Sequence, residues 1–232
     1  HFLINPRILD KIMAAAEIEE KDTVLEIGPG TGNLTERLIE KAGRVIAIEK
    51  DRRLIEVLKE KFKNEKVEII EGDILRFKID ELGIKNYKIV ANIPYYITSN
   101  LLRTIFESAS WRMARPKLIV LTLQKEVAQR IMAKPPKMNL LAVSVQFFSE
   151  PKIISYVSKE NFRPRPKVDS ALLRMKLRRA QPSKEFTEQF FKVVRAGFSQ
   201  KRKLLISNLS KKLGIIKKDL LEMFEEIGIQ AD

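Results

Sequence analysis

Thr23-Val24-Leu25-Glu26-Ile27-Gly28-Pro29-Gly30-Thr31-Gly32 decides the fold. An apolar, β-branched run ends on three glycines at alternate positions, and Leu34, Leu38 and Ile39 then recur at helical spacing. A strand that runs straight into a glycine-rich turn and then a helix is a nucleotide-binding βα unit. The glycines let backbone approach a ligand, and the helix N-terminus offers unpaired N–H groups. The dinucleotide fingerprint has two residues between its second and third glycines, whereas here there is one, Thr31.

Working outward, three acids stand at strand ends. Glu26 lies two residues before the first glycine, where a carboxylate could take the positive amino end of an amino-acid-like ligand. The next strand, Arg44 to Ile48, ends in Glu49, placed to accept both hydroxyls of a ribose. The third, Val67 to Ile70, runs into Glu71-Gly72-Asp73-Ile74; Asp73 could accept from an adenine amine while Ile74 packs on the ring. Singly, each acid could instead be a turn cap, a solvated strand end or an Asx turn. Together they describe a nucleoside pocket with a carboxylate for a cationic tail, approached by the glycine backbone at Gly28 and Gly30. S-adenosylmethionine fits that pocket better than NAD, since no pyrophosphate has to be cradled.

A fourth strand, Tyr87 to Ala91, leads into Asn92-Ile93-Pro94-Tyr95-Tyr96. An amide, a proline and an aromatic at the carboxyl end of a strand suit a flat heteroaromatic ring bearing an exocyclic amine. Tyr95 offers a face to stack on, and the Asn92 side chain and a backbone carbonyl beside Pro94 offer acceptors. The same residues could be a strand-ending turn with packing tyrosines.

Charge is distributed unevenly. Of 44 basic and 30 acidic residues, positions 1–110 hold 18 and 19, and the rest hold 26 and 11, so a net of −1 is followed by a net of +15. A neutral half followed by a cationic half points to a polyanion such as nucleic acid; a Lys/Glu-rich thermophile surface would be balanced throughout. The chain has no cysteine and one histidine, which excludes disulfides and thiolate chemistry and argues against a zinc site. The longest apolar run, Leu118 to Leu121, is far short of a membrane span. No signal peptide is visible, although the chain opens at His1 rather than Met and leaves room for a leader upstream. A reducing cytoplasm is the expected location, with no membrane and no metal.

The motifs Glu26 to Gly32, Glu49, Gly72-Asp73 and Asn92-Ile93-Pro94-Tyr95 occur in the order of those in S-adenosylmethionine-dependent rRNA adenine N6,N6-dimethyltransferases, and the chain resembles that family. Phe2-Leu3, Leu123 to Val127 and Phe162 to Ser170 extend the likeness over nearly the whole chain. Within the family it looks most like the small-subunit dimethylases of late ribosome assembly, in their archaeal form. The resemblance implies donor contacts from His1, Leu3, Gly28, Glu49, Asp73 and Asn92. It also implies target-adenine contacts from Asn92, the Ile93 carbonyl, Pro94, Tyr95 and Phe162. Pro135 to Leu140 departs from the family, which tends to have a glycine after the proline.

In the second half, Lys117 to Thr122 reads as a fifth strand and Gln124 to Met132 as a helix. Leu141 to Phe148 and Ala171 to Leu177 read as an antiparallel pair closing the sheet edge. Phe162-Arg163-Pro164-Arg165-Pro166-Lys167 is a stiff basic loop. With the resemblance, Phe162 is placed opposite Tyr95 as a sandwich for a flipped-out base, with Arg163, Arg165 and Lys167 on phosphate. A polyproline-type connector with a core Phe is the alternative. Helical patterns follow over Phe186 to Phe198, Lys201 to Leu213 and Lys218 to Ile227. The middle one is read as an amphipathic helix with Lys201, Arg202 and Lys203 facing RNA.

The expected architecture is α/β: a Rossmann-like S-adenosylmethionine-dependent methyltransferase sheet over residues 1–179, then a small basic all-α domain over 180–232 that binds RNA. The expected activity is N6,N6-dimethylation of adenines in small-subunit rRNA within the pre-ribosomal small subunit, by a monomer. A large-subunit rRNA adenine methylase and a non-catalytic RNA-binding assembly factor are the alternatives.

Overall fold

The computed structural model describes residues 1–63, 65–180 and 182–228; side chains of Ala109 and Arg112 are not described. The chain falls into two compact units. The first comprises His1–Pro136 with Leu141–Arg178, the second Lys137–Leu140 with Arg179–Asp232.

The first unit opens with a short strand, β1 (Phe2–Leu3), and helix α1 (Pro6–Ala16). Asn5 caps α1 by accepting the Arg7 N–H (2.9 Å), and Pro6 takes the first turn, where its missing N–H is harmless. The nucleotide-binding unit follows as read: β2 (Thr23–Ile27), the glycine turn and α2 (Asn33–Lys41). β3 (Arg44–Glu49), α3 (Arg52–Lys61), β4 (Val67–Glu71), β5 (Lys88–Asn92), α4 (Thr98–Glu107), α5 (Ala109–Met113), β6 (Leu118–Gln124) and α6 (Lys125–Ile131) continue the alternation. α7 (Leu140–Phe148) leads to β7 (Ser149–Val157), β8 (Phe162–Arg163) and β9 (Ser170–Leu177).

Seven strands form one sheet in the order β4-β3-β2-β5-β6-β9-β7. The first five are parallel, and β9 runs antiparallel to both β6 and β7. The order reverses between β2 and β5, and there, at the carboxyl ends, an open α/β sheet makes its crevice. β2, β5 and β6 are buried along almost their whole length because helices cover both faces, which is why they read as continuous apolar runs.

At the opposite ends of the same strands a charge cluster ties the sheet together. Asp22, 2% exposed, precedes β2 and receives Lys88 Nζ from the start of β5 (2.7 Å) and Lys117 Nζ from just before β6 (2.5 Å). Burial pushes the Asp22 carboxyl up, but the hydrogen bonds from Lys117 and Lys88 outweigh it and hold the group at about 2. Lys88 also donates to the Glu17 carbonyl, at the αL end of α1.

Two expectations are corrected. Leu141 to Phe148 is helical, not a strand. Its buried residues, Leu141, Ala142, Ser144, Val145 and Phe148, follow helical spacing, but the run is so apolar on every side that period 2 and period 3.6 look alike. Phe148 stacks on Phe106 (5.7 Å between ring centres), and the Gln146 amide donates to the Ile131 and Ala133 carbonyls, which seats the helix. The edge strand beside β9 is instead β7, with an alternating burial pattern and Pro151 tolerated because the strand is at the edge.

The second unit holds α8 (Lys184–Gly197), α9 (Leu205–Leu213) and α10 (Lys217–Glu226), packed around Ala196, Ile206, Leu209, Leu220 and Phe224. Here α9 begins four residues later than expected. Lys201, Arg202 and Lys203 therefore lie in the turn before it and not on a helix face. The Asn208 side chain, reaching back from α9, donates to the Gly197 and Gln200 carbonyls (both 3.0 Å) and pins that turn. No described helix is long and apolar enough to cross a membrane.

Candidate active site

The glycine turn folds as it does because three of its residues adopt positive φ: Gly28 (+66°), Gly30 (+61°) and Gly32 (+82°). At Gly30 a side chain is also excluded by contact, since a Cβ there would fall 2.7 Å from the Phe2 ring. The turn is held by Glu49. Its Oε2 accepts the Gly30 N–H (3.2 Å), and its Oε1 accepts the N–H groups of Lys50 (2.7 Å) and Asp51 (3.0 Å). A carboxylate bound by three amides is fixed in direction before any ligand arrives.

Above the turn lies a cavity of about 480 Å³, whose walls include His1, Leu3, Glu26, Gly28, Gly30, Glu49, Asn92, Ile93, Pro94, Tyr95 and Phe162. Eleven of the thirteen donor and adenine residues read from the sequence therefore line one space. Asp73 and Ile74 line a smaller adjoining cavity of about 120 Å³, which shares Gly28, Glu49, Pro94 and Tyr96 with the larger one. Asp73 is already engaged: its Oδ1 accepts the Leu75 N–H (3.1 Å) and its Oδ2 the Lys50 ammonium (2.9 Å). The Lys50 hydrogen bond holds its carboxyl below the usual carboxylate range.

Glu26 points into the large cavity from β2 and is 1% exposed. Its Oε2 accepts the Thr35 hydroxyl (2.7 Å). Burial pushes its carboxyl up to about 8, with the nearby Glu49 charge in the same direction and the Thr35 hydrogen bond opposing. Near neutral pH this group is mostly protonated, poised to ionise when a cation faces it.

A two-stranded roof closes the cavity. β1 pairs antiparallel with β8, Phe2 opposite Arg163 and Leu3 opposite Phe162. Asn5 and Ile4 bind Asn161 through side chain (2.6 Å) and backbone (3.0 Å), and the Asn33 amide donates to the Leu3 carbonyl (2.8 Å). His1 Nδ1 donates to the Pro164 carbonyl (2.6 Å), and the His1 carbonyl accepts the Asn92 amide (3.2 Å). With its nitrogen so engaged, Asn92 has its side-chain oxygen left as an acceptor. Tyr95 donates to, or accepts from, Ser170 Oγ (2.6 Å), and burial raises its hydroxyl pKa.

Tyr95 and Phe162, the two members of the expected sandwich, both line the cavity. Pairing with β1 turns Phe162 inward, where it is fully buried among Leu3, Leu9 and Val157, while the ring beside Tyr95 is that of His1, at 5.8 Å and tilted by 35°. Sequence reading also missed Phe2, Thr35 and Ser170. Phe2 and Ser170 lie inside motifs already noticed, and Thr35 could be found as the one hydroxyl on the buried side of α2. Arg163 and Arg165 are tied within their own loop. Arg163 donates to the Glu160 and Phe162 carbonyls, and Arg165 pairs with Glu160 (2.6 Å). Among the described residues no group of three His, Asp or Glu side chains could hold a metal ion.

Residues 1–231 match the profile of the family described as Ribosomal RNA adenine dimethylase. The chain belongs to that family. A curated relative, the Ribosomal RNA small subunit methyltransferase A of Dehalococcoides mccartyi, is 43% identical over 99% of this chain and 79% of its own length. Among solved structures, a dimethyladenosine transferase from Plasmodium falciparum superposes with a TM-score of 0.80 at 30% identity, covering 100% of this chain and 91% of its own. The 23S rRNA methyltransferase ErmE does so at 0.77 and 26%, with the same coverage. As a member of the rRNA adenine dimethylase family, the chain is a methyltransferase built on the Rossmann-like sheet described above.

Proposed function

We propose that this protein transfers methyl groups from S-adenosylmethionine to the N6 amine of adenines in small-subunit rRNA. The product is N6,N6-dimethyladenosine, and the substrate is the pre-ribosomal small subunit at a late stage of assembly. The protein acts in the cytoplasm, as a monomer. The observation that carries this reading is the convergence of Asn92, Ile93, Pro94 and Tyr95 with the glycine turn and two buried carboxylates on one cavity.

The residues present fit such a donor. Glu26 supplies a carboxylate for an ammonium group, Glu49 a fixed carboxylate at a strand end for ribose hydroxyls, and Gly28 presents bare backbone for close approach, while Gly30 makes room for the Phe2 ring of the roof. Asp73 and Ile74 offer an acceptor and an apolar face for adenine in the adjoining cavity, with Lys50 able to share or yield the carboxylate. His1 and Leu3 cover the cavity from the roof. Once bound, the donor supplies an electrophilic sulfonium methyl.

The chain's own work is to orient the acceptor. An adenine amine is a poor nucleophile because its lone pair is delocalised into the ring. Tyr95 stacks the flipped base, Pro94 shapes the wall beside it and Phe162 belongs to the roof above it. The Asn92 side-chain oxygen and the Ile93 carbonyl accept the two N6 hydrogens, favouring pyramidal nitrogen with its lone pair aimed at the methyl. Of the two carbonyls beside the ring, that of Pro94 is taken by the Ile97 N–H (3.2 Å), which favours Ile93 for this role. As the new N–C bond forms, the methyl–sulfur bond would break to leave a neutral thioether, and the now cationic amine loses one N6 proton to solvent, so no side-chain base has to remove it beforehand. Lys167, Lys201, Arg202 and Lys203 contribute charge to the RNA surface, with Arg163 and Arg165 stiffening the loop that carries Lys167.

The test offers labelled S-adenosylmethionine with assembled small subunits, their naked rRNA and large-subunit rRNA side by side, with mass spectrometry of the products. Dimethyladenosine confined to the small subunit is expected. Labelling of naked large-subunit RNA would move the activity to the ErmE-like reading, and no transfer to any RNA would refute the proposal.

A further inference from the structure

Beside the adenine cavity lies a second hollow, of about 310 Å³, between the end of β6, the start of α6 and the segments flanking the proline loop. Lys125, Lys159 and Lys167 line it together with Gln124 and Gln129. It is linked to the target site through Ser170. Gln124 pairs with Ser170 across β6 and β9, Ser170 Oγ holds the Tyr95 hydroxyl (2.6 Å), and the Lys125 N–H donates to the Asp169 carbonyl (3.0 Å).

The ion-pairing pattern around this hollow is informative. The loop arginines are satisfied locally, but Lys125, Lys159 and Lys167 have no carboxylate partner among the described residues; Lys125 Nζ lies only over the Tyr156 ring, at 5.0 Å. Two acids also border the space, Glu126 and Asp169. Asp169 Oδ1 accepts the Lys159 N–H (3.0 Å), and the three ammonium groups outnumber the two carboxylates. Three unpaired ammonium groups with two carboxamides, a residue away from a stacking tyrosine, suit a phosphodiester.

We propose that this hollow binds a backbone phosphate of the nucleotide adjoining the target adenine, fixing the strand so that one base only can swing onto Tyr95. The inference rests on the RNA-methylating reading above and extends it to two lysines, Lys125 and Lys159, and two carboxamides outside the loop that sequence alone marks as RNA-binding. A base pulled from its stack pivots about its two flanking phosphates, so holding one of them limits which base reaches the pocket. The contact is electrostatic and carries no sequence information.

The experiment compares the wild-type chain with K125E/K159E, and with K125Q/K159Q should charge reversal impair folding. Methyl transfer to small subunits is measured across a salt series, with donor affinity measured separately. The expected result is a rise of about tenfold or more in the KM for RNA, with kcat and donor Kd unchanged. The dependence of log(kcat/KM) on log[salt] should become shallower by roughly 0.7 per lost phosphate contact. A folded variant with unchanged KM and unchanged slope would overturn the proposal. Competition of millimolar inorganic phosphate with RNA at constant ionic strength is expected in the wild type and not in the variant; equal competition in both would place the phosphate-sensitive contact elsewhere and overturn the proposal. Absence of RNA methylation by the wild type would refute the underlying activity instead, a result distinct from equal activity of wild type and variant.

Discussion

The most informative single change is Glu26→Gln. The glutamine keeps an acceptor for the Thr35 hydroxyl but cannot ionise. In the folded protein the Glu26 carboxyl is moved from 4.5 to about 8, with burial as the largest cause. The unfolded chain therefore ionises first as pH rises, and the folded state is progressively disfavoured. The stability this group contributes is complete below pH 4.5 and gone above 8. About 3.5 pKa units at 1.36 kcal/mol each set a scale of about 5 kcal/mol, of which about 3 kcal/mol is already lost at pH 7. Urea denaturation of both proteins from pH 5 to pH 8.5 isolates the term, because all other titrations cancel in the difference. The gap between them should widen by about 4 kcal/mol in favour of the glutamine variant. A ligand ammonium reverses the balance by favouring the ionised form. Calorimetric titration of the wild type with S-adenosylmethionine at pH 7, in buffers of differing ionisation enthalpy, should show close to one proton released, and Glu26→Gln close to none. Parallel stability curves, or equal proton release, would refute the argument.

Four further outcomes are expected. Asn92→Ala should lower methyl transfer by about 10²–10³-fold, the scale for one misplaced transition-state hydrogen bond, without moving the thermal midpoint. Tyr95→Ala should cost about 1–3 kcal/mol in kcat/KM for RNA with donor affinity retained, and Tyr95→Phe, which loses only the Ser170 hydroxyl contact, should recover most of it. Gly30→Ala places a Cβ against the Phe2 ring at a backbone angle that disfavours side chains, so donor binding measured by calorimetry should fall sharply while circular dichroism is unchanged. At the other end of the sheet, Asp22→Ala leaves Lys88 buried without its carboxylate, and denaturation should show a loss of about 3–5 kcal/mol with kcat unchanged.

What could be read in advance follows a physical division. β2, the glycine turn and α2 were legible because a strand buried on both faces is an uninterrupted apolar run, and glycines mark its end. Asn92, Glu26 and Glu49 were legible as polar residues ending such runs. α7 was not, because an apolar segment covered on all sides loses its period. Nor was the inward turn of Phe162, which depends on β1 as a partner more than 150 residues earlier in the chain. The local engagement of Arg163 and Arg165, and with it the prominence of Lys125 and Lys159, lies wholly in three dimensions. Composition counts cations without telling which are already paired.

The roof of β1 and β8 also bears on how the protein is made. Phe2 and Leu3 leave the ribosome long before their partners Phe162 and Arg163, which emerge only after all five parallel strands. The growing chain can assemble the sheet up to β6 with its crevice still uncovered. Donor affinity should thus appear abruptly in synthesis: chains stalled before residue 160 should fail to retain S-adenosylmethionine, and chains released beyond β9 should hold it. A nascent chain would therefore fold its scaffold without help from the ligand and acquire its pocket as a late, single event.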